Sequence, residues 1–147
     1  MALEIQHRER EDVEILDLQG RHTLGPEDIF FREEFQRLLE QGRYRIVLNC
    51  KGLDEIDSVG VGTLICSQEL LEKSGGKLAL TEVREDQMEM LVTLKLEAFF
   101  EVFESETEAV NSFFPERHVA RVDVLKLVRK FKHEDEEKDK KETETQK

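Results

Sequence analysis

The chain has no Trp, one Tyr, two Pro and two Cys among its 147 residues. Without Trp, core packing must lean on its nine Phe and the aliphatics. The two cysteines, Cys50 and Cys66, cannot build a disulfide framework. They form no C-x-x-C pair and have no His beside them in sequence, so a zinc site is not expected either. Cys50 ends an apolar run and reads as a buried small hydrophobe. No run approaches the roughly 20 apolar residues that span a bilayer. Met1–Asp12 lacks the apolar stretch of a secretory signal. A cytoplasmic protein with no stable membrane association is therefore expected.

Positive charge is also short: 22 Lys and Arg stand against 34 Asp and Glu, a net charge of −12. Such a surface repels phosphate backbones, so nucleic acid is not an expected partner and a basic protein surface is a better one. The deficit is uneven. Residues 1–114 carry 12 basic and 25 acidic residues, 115–132 carry 6 and 2, and 133–147 carry 4 and 7. The length suits one domain plus a tail.

Strand-like runs at Met1–His7 and Val13–Leu18 flank a charged stretch, Arg8–Asp12, that suits a hairpin turn, with Gly20 ending the pair. Pro26 opens a helix over Glu27–Gln41, whose Phe31, Phe35, Leu38 and Leu39 recur at helical spacing. Arg45–Cys50 (RIVLNC) reads as a strand buried on both faces, followed by a turn over Lys51–Asp57. A second helix spans Ser58–Ser74, then a strand Lys77–Val83, a helix Glu85–Leu94, a strand Phe99–Phe103 and a short helix Glu106–Phe114. Alternating helices and strands demand crossovers, so the fold class is α/β with a mixed sheet of about five strands and about four helices. Residues 119–132 fit neither the helical nor the strand template. Residues 133–147 contain no apolar residue and are expected to be disordered.

The segment Leu53–Ile65 (LDEIDSVGVGTLI) is the most informative. A turn delivers Ser58 to the start of a helix. There its ordinary role would be an N-cap, its oxygen accepting a first-turn N–H. The same position favours a phosphate, because a helix N-terminus carries free N–H groups and partial positive charge. On a helical wheel Ser58, Gly62, Cys66, Glu69 and Lys73 form one stripe, with Gly60, Val61, Leu64 and Leu71 opposite. Helical Gly at 60 and 62 costs about 1 kcal/mol each relative to Ala, so close approach of other groups is expected to compensate. Asp54, Glu55 and Asp57 crowd the turn, where a phosphate would change the local field sharply.

The stretch Ile56–Leu64, IDSVGVGTL, resembles the I-D-S-S-G-L-G-x-L signature of the STAS domain family of sulfate transporters and anti-sigma factor antagonists. The resemblance extends over nearly all of residues 1–114. GRHTLGPED (20–28) looks like the family's link from second strand to first helix. GGKLALTEV (75–83) looks like its fourth strand, and LKLEAFFEVFESETEAVNSF (94–113) like its closing helix–strand–helix. It implies a single STAS-like domain over 1–114, with a basic and apolar extension at 115–132 and a charged tail at 133–147. It further implies an anti-sigma factor antagonist, not an enzyme and without a cofactor, phosphorylated at Ser58 by a serine kinase that is itself the anti-sigma factor. The unmodified protein would bind that kinase through Asp57, Ser58, Val59, Gly60, Gly62, Cys66 and Glu69; a serine phosphatase would reset it. Two positions depart from the pattern: Val59 replaces a second Ser, and Thr23 stands where many members carry Asp. The alternative within the family is a scaffold or transporter-associated subunit that is not phosphorylated.

Other chemistries fit less well. Gly60-Val61-Gly62 lacks the third Gly of a dinucleotide fingerprint, since Ile65 occupies that place, and no G-K-[ST] follows. Ser58 lies between Asp57 and Val59, not in a G-x-S-x-G elbow. Asp54 and Asp57 read as solvated turn carboxylates before they read as metal ligands. The basic segment 115–132 either packs back on the acidic domain or meets a membrane or partner.

Overall fold

A computed structural model of the chain describes residues 2–145. The first two strands, β1 (Glu4–Arg10) and β2 (Val13–His22), pair antiparallel. Their turn is tighter than expected, because only Glu11 and Asp12 form it, both with positive φ. Gly20 follows the last β1–β2 partner pair, Glu4 with Gln19, yet β2 runs on to His22. It sits inside β2 with φ +99 beside a register shift against β3, and an added Cβ would lie 2.0 Å from the Ala2 carbonyl.

The chain then crosses through α1 (Pro26–Glu40) to β3 (Arg45–Ile56), α2 (Ser58–Lys73), β4 (Lys77–Thr81), α3 (Glu85–Thr93) and β5 (Glu101–Phe103). Strand order is β1-β2-β3-β4-β5, with every pair after the first parallel. Phe31 and Phe35 of α1, Leu64 and Leu71 of α2 and Leu91 of α3 share one core with Leu48, Cys50 and Leu80 of the sheet. On the opposite face Ala109 and Val110 of α4 (Glu106–Asn111) pack on Val13, Ile15, Val47 and Phe103. Among the described residues the domain is thus a five-stranded mixed sheet in the α/β class, with α1, α2 and α3 on one face and α4 on the other.

Of the expected turn at Lys51–Asp57, all but Asp57 is instead the second half of β3. Its residues look polar because Lys51, Asp54 and Glu55 are exposed, while Leu53 turns into the core. β4 has ended by then, and side chains replace its backbone partners: Gln87 Nε2 donates to the Leu53 carbonyl (2.9 Å) and Arg84 Nη2 to that of Asp54 (2.7 Å).

The C-terminal extension is ordered. Val122 N–H donates to the Val102 carbonyl (2.8 Å), covering the open edge of β5. Arg117 stacks on Phe114 at 4.0 Å and pairs with Glu11 at 3.0 Å. A fifth helix, α5 (Val124–Thr145), follows, with Val124 and Val128 buried in the main core and Phe131 half-buried. Residues 133–145, expected to be disordered, continue this helix; over residues 133–141 i,i+4 charges, such as His133 with Glu137 at 3.1 Å, suit a solvated helix without apolar side chains. Met1, at the start of the first expected strand, and positions 146–147 of the expected tail lie outside the described residues. No described helix is long and apolar enough to cross a membrane.

Candidate functional site

Ser58 is the first residue of α2 and is exposed. The cap is one residue earlier than the sequence implied. Asp57, in extended conformation, accepts from Gly60 N–H at 3.0 Å through Oδ1. Its Oδ2 accepts from Leu24 N–H at 2.9 Å, which clamps the β2–α1 loop onto the turn. The N–H groups of Gly60 and Leu24, with Val59 adding, hold the Asp57 carboxyl below the usual carboxylate range. Two consequences follow for Ser58. Its hydroxyl is relieved of capping and faces solvent. One of the helix N–H groups that could have met a phosphate, that of Gly60, is already occupied by Asp57.

Beneath the turn lies a buried polar network that sequence reading missed. His22, 0% exposed at the end of β2, has Nε2 2.9 Å from Asp28 Oδ1. Thr63 of α2 donates to the same oxygen at 2.5 Å, and Arg32 Nε to Oδ2 at 2.8 Å. Burial opposes ionisation of Asp28, yet the hydrogen bonds from Thr63, His22 and Arg32 prevail and its pKa is lowered. Burial lowers the pKa of His22, outweighing the pull of Asp28, so the ring is neutral near pH 7 and donates from Nε2. Its Nδ1 has no partner among the described residues, and the ring stacks on Phe31 at 4.6 Å. β2, α1 and α2 are locked together in this way. No spacing signals it, because positions 22, 28 and 63 meet only once the sheet is formed. Thr23, the departing position, is half-buried in the same loop.

The expected stripe separates as the wheel implied. Gly60, Val61, Leu64 and Leu71 are buried, whereas Ser58, Cys66, Glu69 and Lys73 are exposed and Val59 and Gly62 are half-buried. The two glycines differ. A Cβ on Gly60 would lie 2.4 Å from the His22 carbonyl oxygen, so the helix can seat on β2 only with Gly there. A Cβ on Gly62 would meet nothing within 4 Å. Beside this surface, held there by Asp57, stands an apolar side chain that had not been singled out, Leu24 (73% exposed). A leucine between Thr23 and Gly25, in a loop, was the available signal.

The other chemistries find little support. Asp54 lies 3.8 Å from Arg84 and Asp57 is taken up by two N–H groups. The His22 ring beneath the turn is buried and committed to Asp28.

Residues 4–109 match the STAS domain family. The chain belongs to the STAS domain family. A comparison with curated proteins gives no match. Among solved structures, this STAS chain is similar to a Thermotoga maritima protein described as a candidate anti-sigma factor antagonist, at 22% identity, covering 74% of this chain and 92% of that one, with a TM-score of 0.69. It is similar to an anti-sigma factor antagonist from Mycobacterium paratuberculosis at 12% identity, covering 76% and 93%, TM-score 0.65. It also matches the Bacillus protein SpoIIAA in its phosphorylated form at 19% identity, covering 76% and 99%, TM-score 0.59. At these identities the likeness is one of fold.

Proposed function

We propose that this STAS domain is a phosphorylation-switched anti-sigma factor antagonist. Unmodified, it binds a serine-kinase anti-sigma factor in the cytoplasm and so releases a sigma factor for transcription. Phosphorylation of Ser58 by that kinase ends the binding, and a serine phosphatase restores it. The chain itself performs no catalysis and needs no cofactor.

The observation that carries this reading is the division of labour at the turn. Asp57 caps the helix, so Ser58 is exposed and its hydroxyl is available to a kinase. The docking surface comprises Asp57, Ser58, Val59, Gly62, Cys66 and Glu69, to which the exposed Leu24 is added as an apolar anchor; Gly60, expected on it from the sequence, is instead buried against the His22 carbonyl. Gly62, which no internal contact requires, lets a partner backbone approach. Because Asp57 holds the Gly60 N–H, a phosphate on Ser58 gains less from the helix end than a free N-terminus would give. It stands outward, beside the Asp57 carboxylate, and releases the partner by like-charge repulsion and bulk. No core residue has to move.

Calorimetric titration against the serine-kinase anti-sigma factor tests the proposal. Ser58→Ala binds as wild type does, and Ser58→Asp binds about tenfold or more weakly, a loss of about 1.4 kcal/mol or greater. Equal affinity of Ser58→Asp and wild type would instead favour an unphosphorylated scaffold.

A further inference from the structure

The carboxyl ends of β4 and β5, with Lys51 from the middle of β3, open onto a cleft of about 780 Å³ whose lining does not include Ser58. In open parallel sheets ligands gather outside the carboxyl ends of strands, and the volume falls in the range of small-molecule sites. Residues from 120 to 130 of the C-terminal extension build one wall. The lining includes an apolar part formed by Val83, Met88, Phe103, Val122 and Leu127.

The charges around that lining carry both signs. Lys51 at the sheet, with Lys126 and Lys130 one turn apart on α5, contributes three ammonium groups. Glu82 after β4, Glu104 after β5 and Glu108 on α4 contribute three carboxylates. None of the six side chains has an ion pair or hydrogen bond among the described residues. The other charged groups here are engaged: Arg84 with Asp86 and the Asp54 carbonyl, Arg121 with Glu101, and Asp123 with the Lys126 N–H. A simple anion would be opposed by the glutamates, and a simple cation by the lysines. A molecule carrying both signs around an apolar body complements the whole lining.

We propose that this cleft binds a small zwitterion with an apolar body, its carboxylate towards the lysines and its ammonium towards the glutamates. A free apolar amino acid and a short apolar peptide share this chemistry. The proposal is independent of the switch at Ser58.

The test is an NMR titration of the full chain with L-phenylalanine and, separately, with tri-leucine. Binding shifts the Met88, Val122 and Leu127 amides, and blocking the probe as its N-acetyl or carboxamide form weakens it about tenfold. A response to both probes identifies a free amino acid as sufficient; a response to tri-leucine alone identifies a peptide. The double variants Lys126→Glu with Lys130→Glu, and Glu104→Lys with Glu108→Lys, each lose about tenfold in affinity. Should a double reversal disturb the fold, Lys130→Gln alone still weakens binding. The proposal is overturned if neither probe shifts these amides at about 10 mM, or if the blocked probes bind as tightly as the free ones.

Discussion

The first turn of α2 has an inward side and an outward side that obey different rules. Inward, every residue has a structural reason. Gly60 admits the His22 carbonyl, Asp57 caps the helix and ties down Leu24, and Thr63 completes the Asp28 network. Outward, the small or apolar residues have none: Gly62 meets nothing, and Ser58 and Leu24 face solvent. A glycine in a helix or an exposed leucine weakens or exposes a domain without return inside the fold. Features of that kind point to something outside the molecule, and here they gather around one hydroxyl.

The contrast is broken most directly at the glycines. Gly60→Ala forces a methyl group against backbone and is expected to cost about 3 kcal/mol, read as a fall in denaturant midpoint. A loss below about 0.5 kcal/mol would show that the inward packing is looser than described.

Acid sharpens the comparison next, because the inward groups titrate together. The folded pKa of His22 lies below its unfolded value, so its contribution is complete above about pH 6.5 and falls away as pH drops below that. Asp28 and Asp57 are also depressed; their contributions hold above about pH 4 and are lost as pH falls through their folded values. Melting temperature should therefore decline in two stages on acidification. His22→Gln, which keeps a donor for Asp28, removes the first stage. A first stage that survives in His22→Gln would assign it to another group.

Gly62→Ala is the smallest change and has the opposite sign. It should stabilise the domain by about 0.5–1 kcal/mol, since Ala is the better helix former and the space is open. Affinity for the kinase anti-sigma factor should fall at the same time. A variant that gains stability and keeps full affinity would remove Gly62 from the docking surface.

Much of this was legible in the sequence, and for identifiable reasons. Helix α1 announced itself through Pro26 and its Phe and Leu spacing, and α2 through the turn at Ser58. Its core face was readable because Val61, Leu64 and Leu71 keep helical spacing. The second half of β3 was not, because an edge-like, exposed stretch carries little apolar signal and is held by Gln87 and Arg84 from another element. Helix α5 was masked by Val119 and Val122, which lie before the helix in no regular element and blur the helical period that starts at Val124. The cap was misplaced by one residue because Asp and Ser are both good N-caps and stand side by side. The His22–Asp28–Thr63 network could not be read at all, since it exists only in three dimensions.

The central claim is that the outward hydroxyl of Ser58 is the switch, and intact-mass and peptide mass spectrometry after incubation with the serine-kinase anti-sigma factor and ATP tests it most directly. The account predicts a single added phosphate, located on Ser58, none on Ser58→Ala, and its removal by the serine phosphatase. An unmodified Ser58 under conditions where the kinase is active, or a phosphate placed on another residue, would contradict it.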